Sequence, residues 1–171
     1  IDYTYHQRRL LPRLAYTYGM NCASRYLDQV SNKTNDLLAS TSPNDKPALE
    51  KAVGEAKALF ALSAGLKAFS TWGTLNIIEE CRQACGGHGY SAYNGFIDWN
   101  AFAVQVTWEG DNNVLALSTG RALIGRALKA PKVTKVTLDS NKLEDPDHIN
   151  AVWKFAADKI VEQGAEQYNK L

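Results

Sequence analysis

The decapeptide CRQACGGHGY, residues 81–90, brings two cysteines, an arginine, a histidine and three glycines together in a short stretch. Cys81, Cys85 and His88 could offer metal ligands, but a closed structural zinc site needs four, and Cys22 is the only other thiol in the chain. No metal site is therefore predicted. A redox pair would have two residues between its thiols, and a dinucleotide fingerprint would follow a strand, so neither interpretation fits.

The glycines of this stretch support two interpretations. Gly86 and Gly87 can take the left-handed conformation that ends a helix. Three glycines within four residues also let a partner approach the backbone more closely than a helix end requires. The residues alone leave both interpretations open.

A second candidate site lies in QVTWEGDNN, residues 105–113. Glu109 follows Trp108 and precedes Gly110, in a turn just before helical signals resume at Asn112. A carboxylate half-buried by Trp108 would be suited to act as a general base. The alternative is an acidic residue in the solvated first turn of a helix, stabilised by the helix dipole.

Four helical segments are predicted to position these sites. Apolar residues recur at spacings of three and four over residues 5–33. A second, long helix is predicted to begin after a cap at Asn44 or Asp45, with Pro47 in its first turn, and to extend to about residue 85. Further helices are predicted from residue 112 to about residue 129 and after a cap at Asp147.

The apolar stripes of these helices predict the core of an all-α, antiparallel helix bundle. Residues 56–72 of the second helix are Ala-rich and apolar on several faces, so they are predicted to be largely buried. No segment shows the alternation of a strand. The inward residues are predicted to be Leu10, Leu11, Leu14, Tyr18, Cys22, Tyr26 and Val30 in the first helix, and Ile149, Val152, Phe155, Ala156 and Ile160 in the last.

Composition argues against several classes of function. The 171 residues carry a net charge of +1, whereas a non-specific nucleic-acid binder needs a basic excess. The basic segment at 121–135 is interpreted as a solvated face. No apolar run approaches the ~18 residues of a membrane helix. The three cysteines are interpreted as reduced thiols, and the opening at Ile1, without methionine, predicts a fragment of a longer protein.

CRQACGGHGY followed by WEGDN resembles the C-terminal helical domain of the acyl-CoA oxidases, the peroxisomal FAD-dependent enzymes of the acyl-CoA dehydrogenase superfamily. IDYTYHQRRLLPRLAYTYGM and AGLKAFSTW look like the preceding helices of that family. The resemblance extends to about residue 128 and is weak beyond Lys129. It implies a helical domain that binds FAD and acyl-CoA over 1–130, then a loop and a further helix over 131–171. Because family members are far longer, it also implies that this chain is inactive alone.

The resemblance implies that Glu109 is the catalytic base. In the family this glutamate takes the α-proton of an acyl-CoA while a hydride leaves the β-carbon for the flavin. The thioester carbonyl accepts a hydrogen bond from the backbone N–H of the same glutamate, an oxyanion-type arrangement. Gly110 is consistent with a turn that leaves this amide free, so Glu109 and Gly110 are both implied to bind substrate.

The resemblance also implies an FAD site. Gln83, Gly86 and Gly87 fall on the family's Gln-x-x-Gly-Gly, which approaches the adenosine and pyrophosphate part of the FAD bound by the partner subunit. Backbone N–H groups at glycine allow phosphate to come close. Cys81 and Cys85 are then interpreted as packing residues. Three residues fall beside the flavin: Asp111, Asn112 and Asn113.

The implied activity is α,β-dehydrogenation of a fatty acyl-CoA to a trans-2-enoyl-CoA, with electrons passing to O2 to give H2O2. The implied partners are acyl-CoA, O2 and a second copy of the chain, with FAD near the interface of a homodimer. The implied location is the peroxisome, for which the C-terminal Asn-Lys-Leu is weak support. Two alternatives stay open: a dehydrogenase that uses an electron-transfer flavoprotein, and a non-catalytic helical interaction module derived from the family.

Overall fold

Helices make up most of the computed structural model, which describes residues 2–129 and 133–170. Within these ranges no β-strand is present, so the predicted all-α class is confirmed. Compact units are formed by Ile1–Thr119 and by Gly120–Leu171, and both candidate sites lie in the first. The α-helices of the described residues are α1 (Thr4–Ser40), α2 (Lys46–Ala84), α3 (Phe96–Asn100), α4 (Asn112–Ala127) and α5 (Pro146–Tyr168), with short 3-10 helices at Gly86–Tyr90, Ala92–Asn94, Ala101–Val106 and Ser140–Lys142.

Local sequence signals explain where the long helices begin. The Asp45 side chain accepts a hydrogen bond from the Ala48 amide at 3.1 Å and caps α2, with Pro47 in the first turn, as predicted. The predicted cap of the last helix is off by two residues. Asp145, rather than Asp147, caps α5 and accepts from the Asp147 amide at 3.0 Å, because Pro146 already occupies a first-turn position.

The helices α1 and α2 form an antiparallel hairpin, as predicted. Arg9 near the start of α1 pairs with Glu80 near the end of α2, with Nε and Oε2 3.2 Å apart. Further along α1, the Tyr16 hydroxyl donates to the Phe69 carbonyl oxygen at 2.9 Å. Residue numbers rise along α1 as they fall along α2, which defines the antiparallel arrangement.

The helix α4 also runs antiparallel to α2. Its first residue, Asn112, is hydrogen-bonded to the Ala68 carbonyl oxygen, and about two turns later the Thr119 hydroxyl donates to the Ala61 carbonyl oxygen at 3.1 Å. The methyl group of Thr119 lies over Gly65, where a β-carbon would come within 3.0 Å of it. The small residue therefore lets α4 approach α2 closely.

The face of α1 that packs on α2 is not the predicted stripe. The side chains that contact α2 include those of Arg9 and Tyr16, and the buried residue of α1 is Thr34. The apolar residues of α1 lie on more than one face, and polar contacts with α2 decide which face is covered. Five predicted inward residues are exposed: Leu11, Leu14, Tyr18, Cys22 and Tyr26.

The predicted burial of residues 56–72 is also wrong for this chain. Ala64 and Ala68 are buried, but Phe60, Phe69 and Trp72 are exposed. The contacts of α2 with α1, with α3, with α4 and with the 3-10 helices at Gly86–Tyr90 and Ala101–Val106 leave these side chains uncovered. In α5 the predicted inward residues are partly buried, except for Ile160, which is exposed.

The turn that follows α2 is held against the helix end by Arg82. Its Nε and Nη2 donate to the two carboxylate oxygens of Glu79 at 2.8 and 2.6 Å, and its guanidinium lies 4.5 Å from the centroid of the Tyr90 ring. The hydrogen bond from Arg82 is the main reason that the pKa of Glu79 falls to about 2. Because folding lowers this pKa, the pair's contribution to stability is complete above the ordinary value of 4.5 and is lost as the pH falls toward 2.

Gly89 is buried where this turn crosses the helix end, and a β-carbon built there would fall on the carbonyl oxygen of Arg82. We therefore expect Gly89→Ala to lower the free energy of unfolding by about 1–3 kcal/mol, because the backbone must shift to admit the methyl group. Chemical denaturation would measure the change. The control is Gly87→Ala, because a β-carbon at Gly87 would meet no atom within 4 Å; it should stay within about 0.5 kcal/mol of the parent. Equal stability of the two variants would contradict this packing.

Candidate active site

Of the three glycines in the turn after α2, the fold requires two, for different physical reasons. Gly86 has a φ of +58°, in the left-handed region that ends many helices, as predicted from the sequence. Gly89 is excluded from carrying a side chain by the Arg82 carbonyl. Neither reason applies to Gly87, which has an ordinary φ and open space where a side chain would stand. The fold of this chain therefore leaves the Gly87 backbone accessible without itself requiring a glycine there.

Gln83 precedes these glycines on the last turn of α2, and its side chain is exposed. Its Nε2 donates to the Oε1 of Glu79 at 2.7 Å, so the same carboxylate orients both Arg82 and Gln83. Gln83, Gly86 and Gly87 thus lie together at one exposed end of α2.

Glu109 lies in a strained turn just before α4. Its φ is +53°, a left-handed value that residues with a β-carbon seldom adopt, and the next residue, Gly110, has a φ of +116°. Strained backbone of this kind persists only where surrounding contacts enforce it, and such strain is concentrated at functional sites. The predicted position of Glu109 in the turn that enters the helix at Asn112 is confirmed.

Trp108 does not cover Glu109 in the way that the sequence suggested. The indole Nε1 donates to the Gln105 side chain at 2.9 Å, one helical turn back, and the tryptophan is 49% exposed. Glu109 is exposed as well. The expectation that Trp108 half-buries this carboxylate is therefore wrong for the chain by itself.

A buried polar network lies directly beneath the Glu109 turn. Asn112 is 1% exposed, and its Nδ2 donates to the Thr71 hydroxyl at 2.8 Å and to the Ala68 carbonyl oxygen at 3.3 Å. The Lys67 ammonium donates to the Asn112 Oδ1 at 2.8 Å and to the Gly110 carbonyl oxygen at 2.6 Å. Sequence reasoning missed Lys67, because it stands within an apolar stretch far from the glutamate in sequence.

The residues on either side of Asn112 occupy different environments. Asp111 caps α4, since its Oδ1 accepts from the Asn113 and Val114 amides at 2.9 and 3.4 Å. Asn113 itself is exposed. Asp111 therefore already has a structural task, whereas the Asn113 side chain is open to a ligand.

The two groups of candidate residues lie at different levels of α2. The Glu109 turn is bonded to Lys67, and Gln83 is sixteen residues further along the helix. At ~1.5 Å per residue, these two positions are roughly 24 Å apart along the axis. One chain thus presents the two groups as separate surfaces.

The remaining sequence interpretations concern metals, thiols and membranes. Within the part of the chain that the structure describes, no cluster of three or more histidine, cysteine or acidic residues has the geometry to hold a metal ion. The three thiols are unpaired, and Cys85 is exposed, so its interpretation as a packing residue is wrong for this chain. None of the described helices combines the length and apolarity that crossing a bilayer requires.

Comparison with known proteins identifies relatives of this chain. The family model described as "Acyl-CoA oxidase, C-alpha1 domain" matches residues 1–124. Acyl-coenzyme A oxidase 3 of Yarrowia lipolytica is 46% identical over 190 aligned positions, which cover 100% of this chain and 27% of the relative. Acyl-coenzyme A oxidase 1 of the same yeast is 57% identical over 136 positions, covering 75% of this chain and 19% of the relative.

A solved structure agrees with these sequence matches. The crystal structure of acyl-CoA oxidase 3 from Y. lipolytica superposes with a TM-score of 0.87 at 45% identity, over 99% of this chain and 27% of that one. The similarity continues beyond Lys129, where the sequence motifs had suggested little resemblance. The chain spans about 27% of the length of these two oxidase 3 chains. From its motifs, its helical fold and these matches, the chain belongs to the acyl-CoA oxidase family.

Proposed function

We propose that this chain is the part of an acyl-CoA oxidase that supplies the catalytic base and contacts FAD. The observation that carries this proposal is Glu109, an exposed carboxylate in a left-handed turn above a buried polar network. The proposed reaction is the α,β-dehydrogenation of a fatty acyl-CoA to a trans-2-enoyl-CoA. The helical part formed by residues 1–130 would carry this chemistry, with residues 131–171 following as a loop and a further helix.

Glu109 is proposed to take the α-proton of the substrate. The α-C–H bond breaks, its proton moves to the carboxylate, and its electron pair forms the new double bond as a hydride leaves the β-carbon. The Glu109 amide N–H is proposed to donate to the thioester carbonyl, which lowers the energy of the developing negative charge. Among the described residues no hydrogen bond occupies this amide, which supports that role.

The surroundings of Glu109 suit a base that is shielded from water only when the substrate is bound. The carboxylate is exposed in the chain alone, and binding of the substrate would remove water from it and strengthen its interactions. Gly110 lets the turn reverse directly after the base, at a φ that other residues avoid. Lys67 and Asn112 hold that turn from below.

The end of α2 fits an anionic cofactor such as FAD. Gly86 and Gly87 have no atom within 4 Å of the space that a side chain would fill, so a pyrophosphate can approach their backbone. Gln83 would contact the same part of the cofactor, and Asn113, with Asp111 beside it, would face the flavin. When bound, FAD would accept the hydride, which carries two electrons and one proton, and would pass both electrons to O2; this proton and the one taken by Glu109 complete H2O2.

The separation of the two candidate surfaces along α2 supports a homodimer. The Glu109 turn and the Gly86–Gly87 turn are roughly 24 Å apart along the helix, so the two are proposed to serve different FAD molecules, one of them bound mainly by the partner subunit. The names of the relatives, which are oxidases, favour O2 over an electron-transfer flavoprotein as the acceptor. The peroxisome is proposed as the location on the family resemblance.

The first test concerns the glycine turn. We expect Gly87→Val in the full-length enzyme to weaken FAD binding roughly 10- to 100-fold, because the side chain would block hydrogen bonds between the backbone and a charged pyrophosphate. Flavin absorbance after dialysis and titration of the apoenzyme with FAD would measure this. Gly54→Val is the control, since Gly54 also has open surroundings but lies in the N-terminal part of α2, far from the Gly86–Gly87 turn. A Gly87→Val enzyme with parental affinity for FAD would disprove the assignment.

The second test concerns the base. We expect Glu109→Gln to slow turnover by at least about 100-fold, because the amide keeps the size of the side chain but cannot accept the α-proton. FAD content and acyl-CoA binding should stay nearly unchanged, as when an interaction of the transition state alone is lost. The measurement is anaerobic flavin bleaching with a saturated acyl-CoA in stopped flow. Glu55→Gln, at an exposed position of α2, is the matched control, and parental bleaching by Glu109→Gln would show that the proton goes elsewhere.

A further inference from the structure

The backbone conformation of Glu109 needs an external restraint. A φ of +53° places the β-carbon of a glutamate close to its own backbone, so the turn would relax if nothing opposed it. No described hydrogen bond within the turn itself engages the Glu109 amide. The contacts that hold the conformation therefore lie on its neighbours: before it the Trp108 N–H donates to the Val104 carbonyl oxygen at 3.0 Å, and after it Gly110 and Asn112 are bonded to α2.

Lys67 provides such a contact on both sides of the helix entry. Its ammonium donates to the carbonyl oxygen of Gly110, the residue next to Glu109, at 2.6 Å. The same ammonium donates to the side chain of Asn112, the first residue of α4, at 2.8 Å. One cation thus connects the turn to the start of the helix through two charge-assisted hydrogen bonds.

The same turn of α2 also fixes Asn112 in place. The side-chain Nδ2 of Asn112 donates to the Thr71 hydroxyl at 2.8 Å and to the Ala68 carbonyl oxygen at 3.3 Å. Lys67, Ala68 and Thr71 are successive positions on one face of α2, which packs against both α1 and α4. The support of the turn is therefore a rigid helix, which suits a group that must be held in place.

The positive charge of Lys67 is not used in a structural ion pair. None of the ion pairs among the described residues includes Lys67, although the residue is only partly exposed. Its ammonium is instead directed at two neutral oxygens of the active-site turn. We propose that Lys67 is a positioning residue for Glu109, acting through Gly110 and Asn112 to hold the carboxylate within reach of the α-proton. This proposal rests on the proposed function of Glu109.

The test compares Lys67→Met and Lys67→Arg in the full-length flavoprotein. Methionine keeps the unbranched apolar part of the side chain and loses the ammonium donor, so proton removal should slow by about 10- to 100-fold, the effect of a small misplacement of a catalytic group. Anaerobic flavin bleaching would measure the rate. Arginine still donates to both oxygens and should restore most of it. Lys57→Met, at an exposed lysine of the same helix, should match the parent.

Three further measurements separate positioning from a merely structural role. FAD content and the Kd for acyl-CoA should stay at parental values in Lys67→Met, and the isotope effect with an α-deuterated acyl-CoA should increase, because proton removal becomes more rate-limiting. A Lys67→Met enzyme that bleaches at the parental rate would overturn the proposal. So would loss of rate that is matched by equal loss of bound FAD.

A second variant keeps the proposal testable if Lys67→Met does not fold. Thr71→Val retains Lys67 and removes the hydroxyl that accepts from Asn112, so bleaching should slow several-fold with FAD retained; parental bleaching by this variant would then overturn the proposal. Comparison with Glu109→Gln separates the two hypotheses. If Glu109→Gln bleaches at the parental rate, the proposed base is wrong, whereas a slow Glu109→Gln with a parental Lys67→Met refutes the positioning role alone.

Discussion

The position of the Glu109 turn depends on the buried side chain of Asn112. An amide that is 1% exposed must have hydrogen-bond partners, because an unsatisfied buried polar group costs about 1–3 kcal/mol. Its oxygen accepts from Lys67, and its nitrogen donates to Thr71 and Ala68. All three partners lie on one turn of α2. The start of α4, and with it the turn that carries Glu109, can therefore occupy only one position against α2.

The helix α2 positions both candidate surfaces, and it is also the helix that holds Asn112. It must continue without a break from the residues that hold Asn112 to the turn at Gly86, because both candidate surfaces take their positions from it. Its N-terminus is capped by Asp45, and at its C-terminus Arg82 folds the chain back through Glu79 and Tyr90. A helix of this length keeps the two surfaces roughly 24 Å apart along its axis.

Sequence reasoning predicted the elements better than their contacts. Helix ends follow from nearby residues such as Asp45, Pro47 and Gly86, so the bounds of α2 could be predicted closely. The covered face of α1 could not, because it depends on contacts such as that of Tyr16 with Phe69, far away in sequence. An apolar stripe shows which residues avoid water, but a helix that is apolar on two faces does not show which face its neighbour covers.

Contacts between residues that are distant in sequence also could not be predicted at the candidate site. Glu109 could be singled out from its neighbours and from the family motif, yet nothing in the sequence predicts a left-handed glutamate. Lys67 had no local signal, because its partners at Gly110 and Asn112 are more than forty positions away. A lysine within an apolar helix is usually interpreted as a side chain that extends to solvent. Only the folded chain shows that its ammonium ends on the oxygens beneath the glutamate.

The glycine-rich stretch shows how a structure separates the needs of folding from those of binding. Gly86 ends the helix through its left-handed backbone, and Gly89 lets the turn cross the Arg82 carbonyl. These two positions explain the helix-end interpretation completely. The helix end does not explain the glycine at position 87, since neither the conformation nor the surroundings of Gly87 in this chain exclude a side chain. A residue that folding does not require to be glycine, at an exposed helix end in this family, is where the second interpretation, close approach of a ligand, has its physical basis.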